Sequence, residues 1–377
     1  MNRIRVLQVL WNDDFGGAER HSLDLVTHLD RSLFECEICV LHEDRDLISR
    51  GAREVGIPVH HMKLKSAFSV RGPGKFRRFV RKKGYDIIHG HTYPLWMPIV
   101  VGRFTESAWM VTLHGLIPTF RSIVMNRLSR SATDCYIVPS AEYKRVMMKR
   151  YGVDECNIHI VYHGIDLSRF SPSEEERSRE RNELGLGEDE LAIGSVGRLA
   201  EEKNYPCFIR SAMRIHNELP NTRFFIVGAG IEEDNLRRMV REAKAEDYIT
   251  FLGRRTDVHS LLSAFDLFLF TSLRESFGIV VAEAMAKEVP VVVSETGGLP
   301  EVVGDTGVLV RVNDDASFSR EVVTLLRDES RRRDLAGRAR DRARSFFSME
   351  KMVDNISEIY TTLLEVKRKG PSGKARN

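Results

Sequence analysis

Two glutamates eight residues apart, in Glu275-Ser-Phe-Gly-Ile-Val-Val-Ala-Glu283, carry the strongest chemical signal in this sequence. The apolar run Leu267–Phe270 ends just before them, and the pattern predicts a helix starting near Ser276. The first backbone N–H groups of a helix have no partner inside it, so those of Phe277 and Gly278 offer a seat for an anion. Gly278 lets a ligand come close. Eight helical residues rise about 12 Å, a length that suits a sugar nucleotide. One carboxylate would take hydroxyls of the sugar and the other the ribose hydroxyls, with the diphosphate between them. Paired glutamates are also common on helix surfaces, so the spacing alone gives a plain surface helix equal weight.

Three further groups point the same way. Gly197-Arg-Leu-Ala-Glu-Glu-Lys-Asn204 follows a strand-like run, and Arg198 with Lys203 would neutralise the charge of a departing nucleotide; an isolated Arg/Lys pair in a loop is more often a surface feature. Asp13-Asp-Phe-Gly-Gly-Ala-Glu19 places Gly16 and Gly17 at a strand exit that opens a helix, although strand–Gly-Gly–helix is also ordinary turn chemistry. His114, in Val-Thr-Leu-His-Gly, stands at another strand exit, where a catalytic and a structural histidine carry equal weight. Two other motifs are discounted. Gly228-Ala-Gly230 lacks the third glycine of a dinucleotide fingerprint and is followed by Glu232 and Glu233. Asp44-Arg-Asp46 imitates a metal-binding D-x-D but reads as a solvated turn, so no metal is expected.

These groups need a scaffold of parallel strands, whose carboxyl ends bind ligands. Buried strands are predicted at Arg5–Leu10, Glu37–Leu41, Ile87–His89, Trp109–Leu113, Tyr136–Pro139 and Ile158–Tyr162. A second set is predicted at Ala192–Val196, Arg223–Val227, Thr250–Leu252, Leu267–Phe270, Val289–Val293 and Gly307–Val310. Helical patterns such as Glu19–Leu29 and Ala141–Arg150 lie between, which makes the fold class α/β and doubly wound. Ser131-Ala-Thr-Asp-Cys-Tyr-Ile-Val-Pro-Ser140 is echoed 132 positions on by Ser263-Ala-Phe-Asp-Leu-Phe-Leu-Phe-Thr-Ser272, as two copies of one architecture would give.

The 377 residues suit two domains. The boundary is expected in the polar stretch Ser171–Glu190, giving domains 1–168 and 169–349 and a last helix from about 350 to 369. Residues 370–377 read as a disordered tail. The net charge of +3 does not by itself predict a polyanion partner, and a nucleic-acid role has little support. No apolar run spans a bilayer, and the N-terminal run Val6–Trp11 is too short for a secretory signal, so a cytoplasmic location is expected. Five scattered cysteines fit a reducing compartment, and Cys36 and Cys39, three apart in a strand, should point to opposite faces.

In order along the chain, GGAE (16–19), TLHG (112–115), HGID (163–166), GRLAEEKN (197–204), VGAG (227–230), FLG (251–253), ESFGIVVAEAMA (275–286), PVVVSETGGLPE (290–301) and TGVLV (306–310) resemble glycosyltransferase family 4 over essentially the whole chain. The resemblance implies a GT-B fold, with two Rossmann-like domains facing across a cleft and the last helix crossing back to the N-terminal domain. It implies a retaining glycosyltransferase without a metal or other cofactor. Arg198 and Lys203 would bind the donor diphosphate. Glu275 would hold the transferred sugar, with Ser276, Phe277, Gly278 and Ile279 around it. Glu283 would hold the ribose, Gly16 and Gly17 the phosphates from the other domain, and Arg254 would lie by the base. His114 would stand near the reacting sugar. The chain departs from the family at His163, where Asn is commoner, and at Lys287-Glu288-Val289, where a glycine usually precedes Pro-Val.

The expected donor is a uridine-diphosphate sugar first and a guanosine-diphosphate sugar second. The acceptor would be a glycan or lipid-linked molecule of cell-surface polysaccharide or glycolipid synthesis, bound by the N-terminal half. That half is the more basic, with 24 Lys/Arg against 18 Asp/Glu over residues 1–168. Arg71–Lys83 holds seven cations and no acid, with Phe76, Phe79 and Val80 on one helical face. It reads either as a solvated helix packed by its aromatic face, the favoured alternative, or as a peripheral contact with an anionic membrane. The rival functions are a sugar-nucleotide 2-epimerase of similar shape and a catalytically silent sugar-nucleotide-binding scaffold.

Overall fold

Strands of continuous apolar sequence dominate the computed structural model, which describes residues 3–13, 17–42, 46–66, 71–91, 97–98, 105–115, 124 and 127–368. The chain divides into two units, Met1–Gly164 with Met349–Asn377, and Ile165–Ser348. The chain therefore passes between units at residue 165, ahead of the polar stretch Ser171–Glu190, and again at 349.

The first unit is built on a parallel sheet of seven strands in the order β3-β2-β1-β4-β5-β6-β7. Its strands are β1 (Ile4–Leu10), β2 (Phe34–Val40), β3 (Val59–His61), β4 (Ile87–His91), β5 (Ala108–Thr112), β6 (Cys135–Val138) and β7 (Ile158–Ile160). Helices α1 (Gly17–His28), α2 (Leu47–Glu54), α3 (Gly72–Lys83) and α4 (Ala141–Val146) connect them. Every residue of β4, β5 and β6 is buried, because helices cover both faces of a parallel sheet. Two apolar clusters lie on either side: Cys36 belongs to one and Cys39 to the other, as alternation along a strand requires. The sequence reading missed β3, whose three residues are too few to show a period. The expected helix Ala141–Arg150 is α4 followed by a π-helical turn, Met147–Tyr151.

The second unit repeats the plan with the order β10-β9-β8-β11-β12-β13, all parallel. These strands are β8 (Leu191–Val196), β9 (Thr222–Val227), β10 (Ile249–Gly253), β11 (Leu267–Phe270), β12 (Val291–Ser294) and β13 (Val308–Val310). Its helices are α5 (Glu174–Glu183), α6 (Tyr205–Glu218), α7 (Glu233–Glu242), α8 (Ile279–Ala286), α9 (Leu299–Val303), α10 (Asp315–Arg327) and α11 (Glu329–Phe346), besides the single turn Val258–Leu261. In both units strand order reverses at the first strand, between β1 and β4 and between β8 and β11, which is where doubly wound sheets open a ligand crevice.

The last helix, α12 (Met349–Arg368), belongs to the first unit: Met349, Met352, Val353, Ile356, Tyr360 and Leu364 fill that unit's core. Its Tyr360 is fully buried, and the hydroxyl accepts a hydrogen bond from Gln8 Nε2 at 2.9 Å. Among the described residues no helix is long and apolar enough to cross a membrane. In α3 the apolar side belongs to its own unit: Phe76 and Val80 are buried, and Phe79 packs on His60 and Tyr85. The packed-helix reading of Arg71–Lys83 therefore accounts for its aromatic residues.

Candidate active site

In the second unit, four loops at the carboxyl end of the sheet are laced together. The loop after β8 carries Arg198 and Lys203, and the loop after β9 supports it from behind. Leu199 N–H donates to the Ala229 carbonyl at 3.0 Å, and Glu232 N–H to the Leu199 carbonyl at 3.0 Å. A Cβ on Gly228 would lie 1.9 Å from the Gly197 carbonyl oxygen, and one on Gly230 would lie 2.2 Å from that of Leu199. Gly228-Ala-Gly230 thus serves close backbone packing.

The loop after β11 is tied to the loop after β8 in turn. Leu273 N–H and Ser272 Oγ both donate to the Glu202 carbonyl at 2.8 Å, and Thr271 Oγ1 donates to the Asn204 carbonyl at 3.0 Å. The loop after β12 closes the set. Gly298 N–H donates to the Glu275 carbonyl at 3.0 Å and Thr296 Oγ1 to that of Leu273 at 3.0 Å. Gly297, at φ 55°, is where this loop meets Glu275: a Cβ there would sit 1.8 Å from the Glu275 carbonyl oxygen.

This lacing brings Lys203 to Glu275. The lysine amine donates to Glu275 Oε2 in a close ion pair and also stands 4.9 Å from the centre of the Phe270 ring. Both side chains are mostly covered, at 18% and 13% exposure. Arg198 extends into solvent at 72% exposure and pairs with Glu202. Arg254 is exposed, beyond the end of β10.

The expected helix start near Ser276 is corrected. Helix α8 begins at Ile279, with Gly278 as its N-cap at φ 87°. The left-handed turn at Gly278 and the tie between the Glu275 carbonyl and Gly298 keep residues 275–278 out of the helix. The unsatisfied N–H groups of the helix start therefore fall at Ile279 and Val280, and the Glu275–Glu283 spacing is not a straight helical rise. The Phe277 ring is buried edge-on against Phe347, 5.3 Å between centroids, so contact with a ligand there falls to backbone. Ile279 is 38% exposed beside the loop, Ser276 N–H leans on Glu275 Oε1 at 3.2 Å, and Glu283 is buried on α8.

The departure from the family at Lys287-Glu288-Val289 has a structural answer. Glu288 itself adopts φ 61°, the conformation a glycine would take at this helix end. Its carboxylate is held by Arg340 at 2.7 Å, and Lys287 reaches Glu176 at 2.5 Å, which offsets the strain of a non-glycine there.

In the first unit Gly17 opens α1, while Gly16 lies outside the described residues. Asp13 is buried and caps α2, accepting from Ile48 and Ser49 N–H at 2.8 and 3.0 Å. Asp46, at the start of α2, pairs with Arg53, and Asp44 lies outside the described residues.

His114 is not alone. At the switch point of this sheet it is grouped with His21, His91 and His163, with His89 behind them. His91 Nδ1 lies 3.0 Å from His114 Nε2, and His21 Nδ1 lies 3.1 Å from His163 Nδ1. The His114 and His163 rings stack at 5.3 Å and 10°. One nitrogen each of His21, His91 and His114 lie within 4.8 Å of one another. Burial pushes the pKa of every one down, of His163 to about 4 and of His89 to about 3, and the neighbouring imidazoles push those of His21, His91 and His114 further. The group rests neutral. Sequence reading took His114 singly. The available signal was His89-x-His91, two residues on one face of a strand at the reversal point.

The sequence model described as "Glycosyltransferase Family 4" matches residues 15–169, and that described as "Glycosyl transferases group 1" matches residues 176–342. The N-acetyl-alpha-D-glucosaminyl L-malate synthase of Bacillus anthracis is 32% identical over 306 residues, covering 78% of this chain and 80% of that protein. The chain belongs to glycosyltransferase family 4. A D-inositol 3-phosphate glycosyltransferase of Corynebacterium kroppenstedtii is 29% identical over 320 residues, with coverage of 77% and 69%. Among solved structures, Anabaena Alr3699/HepE in complex with UDP and glucose superposes with a TM-score of 0.83 at 21% identity, covering 96% of this chain and all of that one. WaaG, a glycosyltransferase involved in lipopolysaccharide biosynthesis, gives 0.73 at 17% identity, with coverage of 93% and 99%. The fold is GT-B, and this family-4 protein is a glycosyltransferase.

Proposed function

We propose that this glycosyltransferase moves a sugar from a uridine-diphosphate sugar to a glycan or lipid-linked acceptor with retention of configuration and without a metal at the diphosphate. The observation that carries the proposal is the Lys203–Glu275 pair, held at the switch point of the second sheet by four interlocked loops. It sets a cation where a leaving phosphate gains charge and a carboxylate where sugar hydroxyls can bind. Arg198 is extended and free to swing onto a diphosphate once it leaves Glu202. The Ile279 and Val280 N–H groups add positive potential from α8. Glu283 on the same helix takes the ribose, and Arg254 lies by the base.

The nucleotide in the solved Alr3699/HepE complex supports uridine over other bases. A thermal-shift screen against UDP, GDP and ADP sugars in metal-free buffer tests the reading. A ligand that binds only the folded protein at 100 times its Kd stabilises it by about 2.7 kcal/mol. A shift with the uridine series alone is expected. A shift with another series replaces the base, and no shift with any removes the donor site.

The acceptor half is the first unit, and α3 supports a lipid-linked acceptor. With its aromatic face covered, what α3 offers a membrane is charge, which adds about 1 kcal/mol per Lys or Arg near an anionic surface. Binding to vesicles rich in phosphatidylserine at low salt, lost in Arg77→Glu/Arg81→Glu, is expected. Equal sedimentation of both proteins would leave the acceptor soluble. The unpaired cysteines, four of them buried, agree with the reducing cytoplasm as the site of action.

A further inference from the structure

We propose that Tyr360, Gln8 and His91 are positioning residues for His114: a chain of hydrogen bonds from the last helix holds the His114 ring in one tautomer, with the proton on Nε2 and a lone pair on Nδ1. This rests on the reading that puts His114 near the reacting sugar, and adds which groups set the ring and what kind of partner it accepts.

The direction of the chain follows from counting protons. A neutral imidazole has one N–H and one lone pair. Gln8 Nε2 donates to the Tyr360 hydroxyl at 2.9 Å, which turns the Gln8 carbonyl oxygen to His91 Nε2 at 2.6 Å. That oxygen only accepts, so His91 carries its proton on Nε2 and a lone pair on Nδ1. His114 Nε2, 3.0 Å from this lone pair, is then the N–H that donates to it. The other nitrogen of His114, Nδ1, holds a lone pair. A hydroxyl can donate to it and an ionised phosphate oxygen cannot, so the group that His114 accepts is a hydroxyl such as a sugar carries. The count holds because burial pushes the pKa values of these imidazoles down and keeps the rings neutral.

The chain is anchored behind Gln8. The Tyr360 hydroxyl spends its proton on His89 Nδ1 at 2.7 Å, and His89 Nε2 donates to Thr112 Oγ1 at 2.7 Å. Turning the Gln8 amide over would set its oxygen against an oxygen with no proton to give, unless Tyr360 and His89 reversed as well. Gln8, His89, His91, Thr112 and Tyr360 are all at most 2% exposed, so water does not replace a lost partner.

The sheet builds this chain where packing alone would use apolar residues. Gln8 stands between Val6 and Leu10 on the face of β1 that packs α12, and it pairs across the ladder with His89. On β4, His89 and His91 continue the row begun by the buried Ile87. An amide in such a row costs free energy unless its bonds are made. The polar path starts at Tyr360 on α12 and ends at His114 at the exit of β5, which gives the returning helix a part in the site beyond filling the core.

Protein labelled with 15N in its histidine rings reports the tautomers directly, with His114→Ala and His91→Asn assigning the two signals. Near neutral pH, both rings are expected as Nε2–H tautomers. Tyr360→Phe keeps the ring against Phe34 and removes only the hydroxyl, which frees Gln8 to turn over. Mixed tautomers at His91 and His114 are expected there, with kcat lower by about 10²-fold and KM little changed. Turnover is followed as UDP released from UDP-glucose and UDP-N-acetylglucosamine. At His91 two amides separate direction from packing. Asn can present an oxygen where Nδ1 stood and still accept from His114. Gln is closer to histidine in volume but reaches to where Nε2 stood. His91→Asn is therefore expected to keep more turnover than His91→Gln, whereas a purely structural role gives the reverse order. A wild-type His114 protonated on Nδ1 would overturn the chain, and so would Tyr360→Phe with wild-type tautomers and kcat. If His114→Ala loses no turnover, the reading of His114 near the sugar fails instead, and the spectra still decide what orients the ring.

Discussion

Lys203→Ala is expected to lower kcat/KM for sugar transfer by about 10²–10³-fold, with most of the loss in kcat. Its amine is largely covered, sits against the Phe270 ring and pairs with Glu275, so its charge acts in surroundings poorer in water than the surface. As the sugar leaves, negative charge grows on the departing phosphate, and a preplaced cation stabilises that state more than the bound donor. Removing it also leaves Glu275 without its partner, which disturbs the carboxylate proposed to hold the sugar. Arg198→Ala should cost less and show more in KM, because a side chain at 72% exposure must first be drawn out of solvent. Steady-state kinetics on both variants, with melting curves to confirm folding, make the comparison. An unchanged kcat in Lys203→Ala would remove the leaving-group role.

The two sheets were legible because buried parallel strands write themselves as apolar runs. Leu267–Phe270 was placed to the residue, and most other strands within one or two positions. The pair at the second sheet was half legible. Residues 198–204 pointed to a loop at a strand end and residues 275–283 to a helix start after another strand, but nothing in their spacing shows that Lys203 reaches Glu275, 72 positions away. That contact depends on hydrogen bonds to the carbonyls of Glu202 and Asn204, and backbone acceptors leave no mark in a sequence. The misplaced start of α8 has a similar origin. Ser276 looks like a cap, and only the contact with Gly297 and Gly298 shows why the chain stays unwound to Gly278. The histidine group escaped because its members are spread over 142 positions, from His21 to His163. Each is unremarkable alone.

The internal echo leads to the second large effect. Asp134 and Asp266 occupy matching places in the repeat, each after a 3-10 turn and just before a strand. Both use one carboxylate oxygen to accept an N–H at the start of the neighbouring strand: Trp109 at 2.9 Å for Asp134, and Ala192 at 2.8 Å for Asp266. Their surroundings differ. Asp134 is 41% exposed and meets Lys367 at 3.2 Å. Asp266 is 9% exposed and is gripped by Arg177 at 2.6 Å and Arg181 at 3.1 Å, so it also fastens α5 to the sheet. Removing one partner of a buried ion pair strands the other charges, at about 3–5 kcal/mol. For a unit of this size each kcal/mol moves Tm by about 2–4 °C, so Asp266→Ala should lower the melting temperature of the second unit by about 6–20 °C. Asp134→Ala loses a hydrogen bond and a solvent-screened pair, at about 1 kcal/mol. Calorimetry on the two variants separates these expectations. Equal shifts would mean that the shared strand clamp dominates. A much larger shift for Asp266 would mean that the second copy of the repeat has converted a strand clamp into the anchor of its first helix.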